Sequence, residues 1–431
     1  MLDASPRTGL RLPVGVGRRV VVVANLLLRA KADTNTTTAA NAVARSLDTW
    51  EGPGILALAG NLVDLRQSGD RPSDVAHQAL AAHPELEASL RRFAAADDRS
   101  VVWLPGAADA AVGDDPATRR IAEDLGAEVA DHLDLELQVT AGTRLVRVES
   151  GVAPDVPVAP GPDGASITPG AARPPVPTTG EACPWQEGVD RLSEPLHLQR
   201  FLTSRLLYRR FARLSWYLLV PFVVVALLRL PVSTGWLGHL LSGHPLPTRA
   251  IHQARYAAWE SRLLVAAGIS VVGLGVLAAV LTLISRRAWT ALGGGTLGGI
   301  FGDELARAGT TANDPARAVA RALVERGYSG FVTGATLQAE LTHLGRSFFA
   351  CAGTTGEVVE EHAGRLGLPP VFLHHRQFAW VEIETGAELH ARLLLGRADV
   401  RPATVLERLA ARYRPAHDTH PIVVAAHPNG T

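Results

Sequence analysis

The chain has 431 residues, 47% of them hydrophobic, enough for a large core and, by length, two or three domains. Forty-two basic residues balance forty-two acidic ones, so no overall charge favours nucleic acid, and charge acts only through local clusters. Cys183 and Cys351 lie far apart without metal-ligand spacing, so neither a disulfide framework nor a zinc site is signalled.

Met1 to Arg18 lacks the continuous apolar run of a signal peptide. Arg19 to Ala24 then reads as a buried strand that runs into Asn25-Leu26-Leu27, and a helix is expected from about Thr37 to Trp50. Thr36-Thr37-Thr38 could offer hydroxyls to a phosphate at that helix start, although ordinary N-capping explains the same residues. A second strand, Gly54 to Ala59, runs into Gly60-Asn61, and one long helix is expected from Ser73 to Ala96. The third strand, Ser100 to Pro105, leads into Gly106-Ala107-Ala108-Asp109, followed by a helix near Pro116 to Leu125. Leu135 to Thr140 and Thr143 to Glu149 flank Ala141-Gly142, which suits a β-hairpin. The alternation of strands and helices argues for a layered α/β domain over residues 1–150.

Residues 151–199 form a Pro/Gly-rich linker and loop, densest from Val152 to Pro184. Residues 200–290 read as a transmembrane hairpin. Leu263 to Ile284 holds no charged residue over about 22 positions, roughly the 30 Å of a bilayer core. The other span, Leu214 to Leu237, needs Arg229 to snorkel and has Trp216 and Trp236 as interfacial anchors. Arg200, Arg205, Arg209, Arg210 and Arg213 before the first span, with Arg286 and Arg287 after the second, place both termini and the soluble domain on the cytoplasmic side of the cell membrane. Arg205, Arg209, Arg210 and Arg213 could also contact anionic lipid head groups, although enforcing this topology explains the same residues.

After the hairpin, Gly293-Gly294-Gly295 to Gly302 lacks the Gly-Lys-Ser/Thr ending of a phosphate loop and reads as a flexible exit. Pro315 to Arg326 looks helical, Gly330 to Thr333 and Ser347 to Ala352 look like strands, and Phe378 to Glu384 pairs with Leu389 to Leu395 across Thr385-Gly386. Residues 291–431 are too few and too strand-rich to stand alone, so they are expected to complete the N-terminal domain.

Each of the three N-terminal strands ends where a metallohydrolase would present an acid or a histidine, and each presents an amide or an aliphatic residue instead. In this order of strand ends the chain resembles the calcineurin-like metallophosphoesterases, most closely membrane-associated bacterial members that look like UDP-diacylglucosamine pyrophosphatases. The family's Asp-x-His box falls on Asn25-Leu26-Leu27, its Gly-Asp box on Gly60-Asn61, its Gly-Asn-His-Asp box on Gly106 to Asp109, and its Gly-His-x-His box on Gly334-Ala335-Thr336-Leu337. The resemblance implies a four-layer αββα sandwich and two divalent metals such as manganese, but Asn25, Leu27, Asn61, Ala107, Ala108, Ala335 and Leu337 stand at the positions of the ligands and of the family's likely general acid.

Two dications about 3.5 Å apart repel by about 19 kcal/mol at an effective dielectric of 20, and anionic ligands must offset that. Two amides cannot. The expectation is therefore a pseudoenzyme that holds no metal and no other cofactor, and acts by binding or regulation, with membrane lipids and an active paralogue as candidate partners. An active phosphoesterase or pyrophosphatase on a nucleotide- or lipid-linked diphosphate is the alternative. Asp64 and Asp109 remain near the old site as a residual polar pair, or as carboxylates that bind backbone N–H groups. His374, His375, His417, His420 and His427 match no ligand spacing and read as packing or surface residues.

Overall fold

The computed structural model describes residues 9–67, 71–140, 142–151, 191–193, 198–205, 208, 268, 312–364, 370–400, 403–411 and 422–427. Apart from Gly268, both expected membrane spans lie outside these residues, as do the 152–184 linker, the Gly293–Gly302 stretch, Cys183, His417 and His420. Among the described residues no helix is long and apolar enough to cross a membrane.

Two mixed sheets pack face to face as an α/β sandwich. The larger has at its centre the parallel strands β2 (Arg19–Val23), β3 (Gly54–Ala59), β4 (Arg99–Leu104) and β5 (Ala127–Val129). β2 and β3 are near-continuous apolar runs because a central parallel strand is buried on both faces. Val20, Val22, Ile55, Ala57, Val102 and Leu104 face the inter-sheet core, while Val21, Val23, Leu56, Leu58, Val101 and Trp103 face the helices on the other side.

Helix α1 (Thr34–Asp48) lies on that outer face through Ala40, Val43, Ala44 and Leu47. It begins three residues before the expected start because Asp33 is its N-cap: the carboxylate accepts from the Asn35 and Thr36 N–H groups, and the Thr36 hydroxyl closes the box. The single helix expected over Ser73 to Ala96 is two helices, α2 (Pro72–Ala81) and α3 (Pro84–Ala94). Pro84 has no N–H to continue the ladder and disfavours helical geometry at His83, whose φ is −129°, so the chain restarts there. Short α4 (Ala111–Asp114) and α5 (Pro116–Asp124), capped by Asp115, finish this half.

The smaller sheet runs β1-β6-β7-β8-β10-β9, from β1 (Gly9–Val14), β6 (His132–Val139), β7 (Gly142–Glu149), β8 (Gly330–Thr333), β9 (Glu340–Leu344) and β10 (Ser347–Cys351). β11 (Gly356–His362), β12 (Val371–Thr385), β13 (Leu389–Asp399) and β14 (Ile422–His427) join the larger sheet. α6 (Leu198–Arg205) brings Phe201 against Val359 and Phe372, and α7 (Asp314–Glu325) covers Phe331, Phe349 and Cys351 on the outer face of the smaller sheet. α8 is Val405–Ala411.

Strands from the two halves of the chain meet in both sheets. β7 pairs in parallel with β8, and β12 pairs antiparallel with β2, Trp380 opposite Val23.

Candidate functional site

The ends of β2, β3, β4 and β8 open into loops on one edge of the sandwich. The first two loops stay zipped together beyond their strands: Asn25 N–H donates to Gly60 O at 3.0 Å, Leu27 N–H to Asn61 O at 2.9 Å and Leu28 N–H to Leu62 O at 2.8 Å. This pairing needs left-handed backbone, with φ of 54° at Asn25, 53° at Leu27 and 56° at Asn61. Asparagine, aspartate and histidine enter that region readily, whereas a leucine there costs on the order of 1–2 kcal/mol.

The Asn25 amide is almost fully buried. Its Nδ2 donates to the carbonyl oxygens of Gly334 at 2.8 Å, Thr336 at 3.0 Å and Gly353 at 2.7 Å. Its Oδ1 accepts from Asn61 Nδ2 at 2.7 Å, and Asn61 Oδ1 accepts from the Ala108 N–H at 2.7 Å. The chemistry of its two ends fixes the direction of this relay. Carbonyl oxygens face only a donor and a backbone N–H faces only an acceptor, so neither amide can be flipped. Glycines allow the close approach: a Cβ on Gly334 would stand 1.9 Å from Ala59 O, and one on Gly106 would stand 2.5 Å from Asn61 Oδ1.

Asp109 sits beneath the relay with no solvent exposure. It accepts from Gly106 N–H at 2.6 Å, Asn61 N–H at 3.1 Å, Leu62 N–H at 2.9 Å and Trp103 Nε1–H at 3.0 Å. Burial pushes its carboxyl above the usual carboxylate range, against the pull of those four hydrogen bonds. All four partners are donors, so they favour the anion and offset part of the burial effect. Asp64, also buried, is held by Arg66 Nε at 3.0 Å and Arg29 at 3.4 Å. Neither carboxylate is directed at the relay as a free ligand, and each does local structural work.

The structure thus brings together Asn25, Asn61, the Ala108 backbone and the turn containing Ala335, whose Cβ would meet a Cβ on Gly151 at 2.4 Å. Leu27 and Ala107 are half-buried, and Leu337 is buried with its carbonyl oxygen accepting from Gln377 at 3.4 Å. The donor set does not fit a pair of divalent cations. Both amide oxygens already accept N–H groups, the amide nitrogen is turned toward three carbonyls, and the remaining positions are aliphatic.

A second buried polar hub was not legible as one. Glu357 on β11 accepts from Asn35 Nδ2 at 3.0 Å, lies 2.5 Å from His374 Nδ1 and pairs with Arg191. His374 Nε2 in turn contacts Arg205, and Arg376 donates to Asn35 Oδ1 at 2.6 Å. Burial alone would raise the Glu357 pKa, but the His374 hydrogen bond, the Arg191 and His374 charges and the Asn35 hydrogen bond outweigh it and hold the carboxyl at about 2. Arg205, expected at the lipid surface, is instead buried, with its guanidinium carbon 4.7 Å from the Phe201 ring centroid. Arg200 remains exposed and pairs with Glu361 at 3.3 Å. Only the adjacent His374-His375 pair could have flagged this hub from sequence, since its other members are scattered over the chain.

No family model and no curated protein matches the chain.

Proposed function

We propose that the chain is a catalytically silent, calcineurin-like metallophosphoesterase domain of the four-layer αββα type that acts by binding or regulation. In this reading it is anchored in the cell membrane by the hairpin over 214–237 and 263–284, with the soluble domain on the cytoplasmic side and membrane lipids or an active paralogue as partners. One observation carries the proposal: at the ends of β2 and β3, Asn25 and Asn61 form a neutral relay between three carbonyls and one N–H. An amide nitrogen there fills the role that a cation would have among converging oxygens, without the anions a cation pair requires. Leucine at φ 53° supports the same reading, because that backbone suits the aspartate and histidine of a ligand turn better than the residue present.

The test uses purified full-length protein in a phosphodiester assay with manganese. The expected result is no turnover above buffer. Turnover that chelator abolishes, and that Asn25→Ala also abolishes, would overturn the proposal in favour of an active phosphoesterase with a rearranged site.

A further inference from the structure

Alternate residues of a strand point to opposite faces, so the adjacent His374 and His375 serve different environments. His374 turns toward Glu357 and Arg205. His375 stands cross-strand from Val358, and therefore shares a face with Glu360 and His362 of β11. The carboxylate of Glu360 and the rings of His362 and His375 offer ligand atoms that all lie within 4.8 Å of one another.

The histidine geometry is specific. The two Nε2 atoms are 3.4 Å apart, with ring planes inclined at 65°. Ordinary N–H···O hydrogen bonds close to roughly 2.7–3.2 Å. By contrast, two imidazole nitrogens each about 2.05 Å from a tetrahedral zinc stand roughly 3.3 Å apart. His375 is buried, His362 and Glu360 are half-buried, and the third donor is a carboxylate, the His₂Glu combination that borderline-soft divalent metals favour. Arg397 on β13 grips both Glu360 oxygens, at 2.8 and 3.1 Å, which leaves each a further lone pair and orients the carboxylate as outer-sphere partners of metal ligands do.

We infer that Glu360, His362 and His375 form a binding site for one divalent transition-metal ion of the zinc class, fastening the end of β11 to β12 and leaving a fourth coordination position for water or a ligand. The site is separate from the Asn25–Asn61 relay and does not depend on the function proposed for it.

Cobalt(II) and zinc titrations of full-length protein, purified without a polyhistidine tag, test it. One equivalent of cobalt should bind with a tetrahedral visible spectrum that zinc displaces, and zinc should raise the melting temperature. His362→Gln and His375→Gln should each weaken binding at least tenfold, while His374→Gln retains the tetrahedral spectrum. Absence of both the spectrum and the zinc-induced shift in the unmutated protein would overturn the inference, as would unchanged affinity in His362→Gln, whose half-exposed position spares the fold. Metal held here leaves the catalytic question untouched, since that is read by chelator-sensitive turnover and by Asn25→Ala.

Discussion

The hub around Asn25 and the hub around Glu357 are both buried and both tie N-terminal to C-terminal segments, yet one is neutral and the other ionic. At Asn25 every partner of the side chain is an uncharged amide or backbone group whose direction is fixed by its neighbours. At Glu357 one carboxylate draws in Arg191, His374 and Asn35, with Arg205 and Arg376 one contact further out. A neutral relay avoids the cost of desolvating ions but tolerates no added charge, whereas an ionic cluster tolerates burial only while every partner is in place.

The largest expected effect is at the neutral hub. Asn25→Asp removes the donor shared by three carbonyls and sets an anionic oxygen against them, which should cost about 4 kcal/mol in urea unfolding. Manganese should not restore the loss. Full restoration by manganese would mean that the ligand shell survives and would erase the contrast between the hubs.

The ionic hub should respond to pH. The Glu357 pKa is lowered from 4.5 to about 2 in the folded state, so its contribution is fully present above about pH 4.5 and is lost as pH falls toward 2. Glu357→Gln should lower stability at pH 7 by about 3 kcal/mol and flatten the melting temperature across that acid window. An unchanged acid slope in the variant would show that other carboxylates dominate it.

The smallest effect sharpens the comparison from the backbone side. Leu27→Asn, at φ 53°, should gain up to about 1 kcal/mol by relief of left-handed strain, read as a higher urea midpoint. A loss of more than about 1 kcal/mol would show that the half-buried leucine side chain contributes more than its backbone costs.

What the sequence discloses follows from how local each cause is. β2, β3 and β4 are visible as apolar runs because burial on two faces leaves a composition signature. The turn at Ala141-Gly142 is visible because its residue types are. β11, by contrast, reads Gly-Glu-Val-Val-Glu-Glu-His, and β9 is a short edge strand; neither has a strong apolar pattern to announce it. Pro84 marks the split between α2 and α3, but the helical periodicity on either side of it conceals the break.

The same holds at the site. Asn25, Asn61 and Asp109 could be placed by their strand ends, and the alternative role for Asp109 as a partner of backbone N–H groups is the one its geometry displays. The carbonyls of Gly334, Thr336 and Gly353 that complete the relay carry no signature, because a backbone oxygen looks the same in every residue. The burial of Arg205 carries no signature for a related reason. Counting charges beside an apolar run detects membrane flanks, but it cannot see that Phe201 and His374 enclose one of those charges.

The interleaving of β8 and β12 with strands made hundreds of residues earlier has a consequence for biosynthesis. When β2 leaves the ribosome its neighbour β12 is still untranslated, and so is the β8 edge that β7 requires. The outer edges of β2 and β7 must therefore wait, unpaired on the nascent chain, until β12 and β8 have emerged. Unpaired strand edges are templates for pairing with another chain, so slowed translation between β7 and β12 would prolong the exposure of these two edges to aggregation.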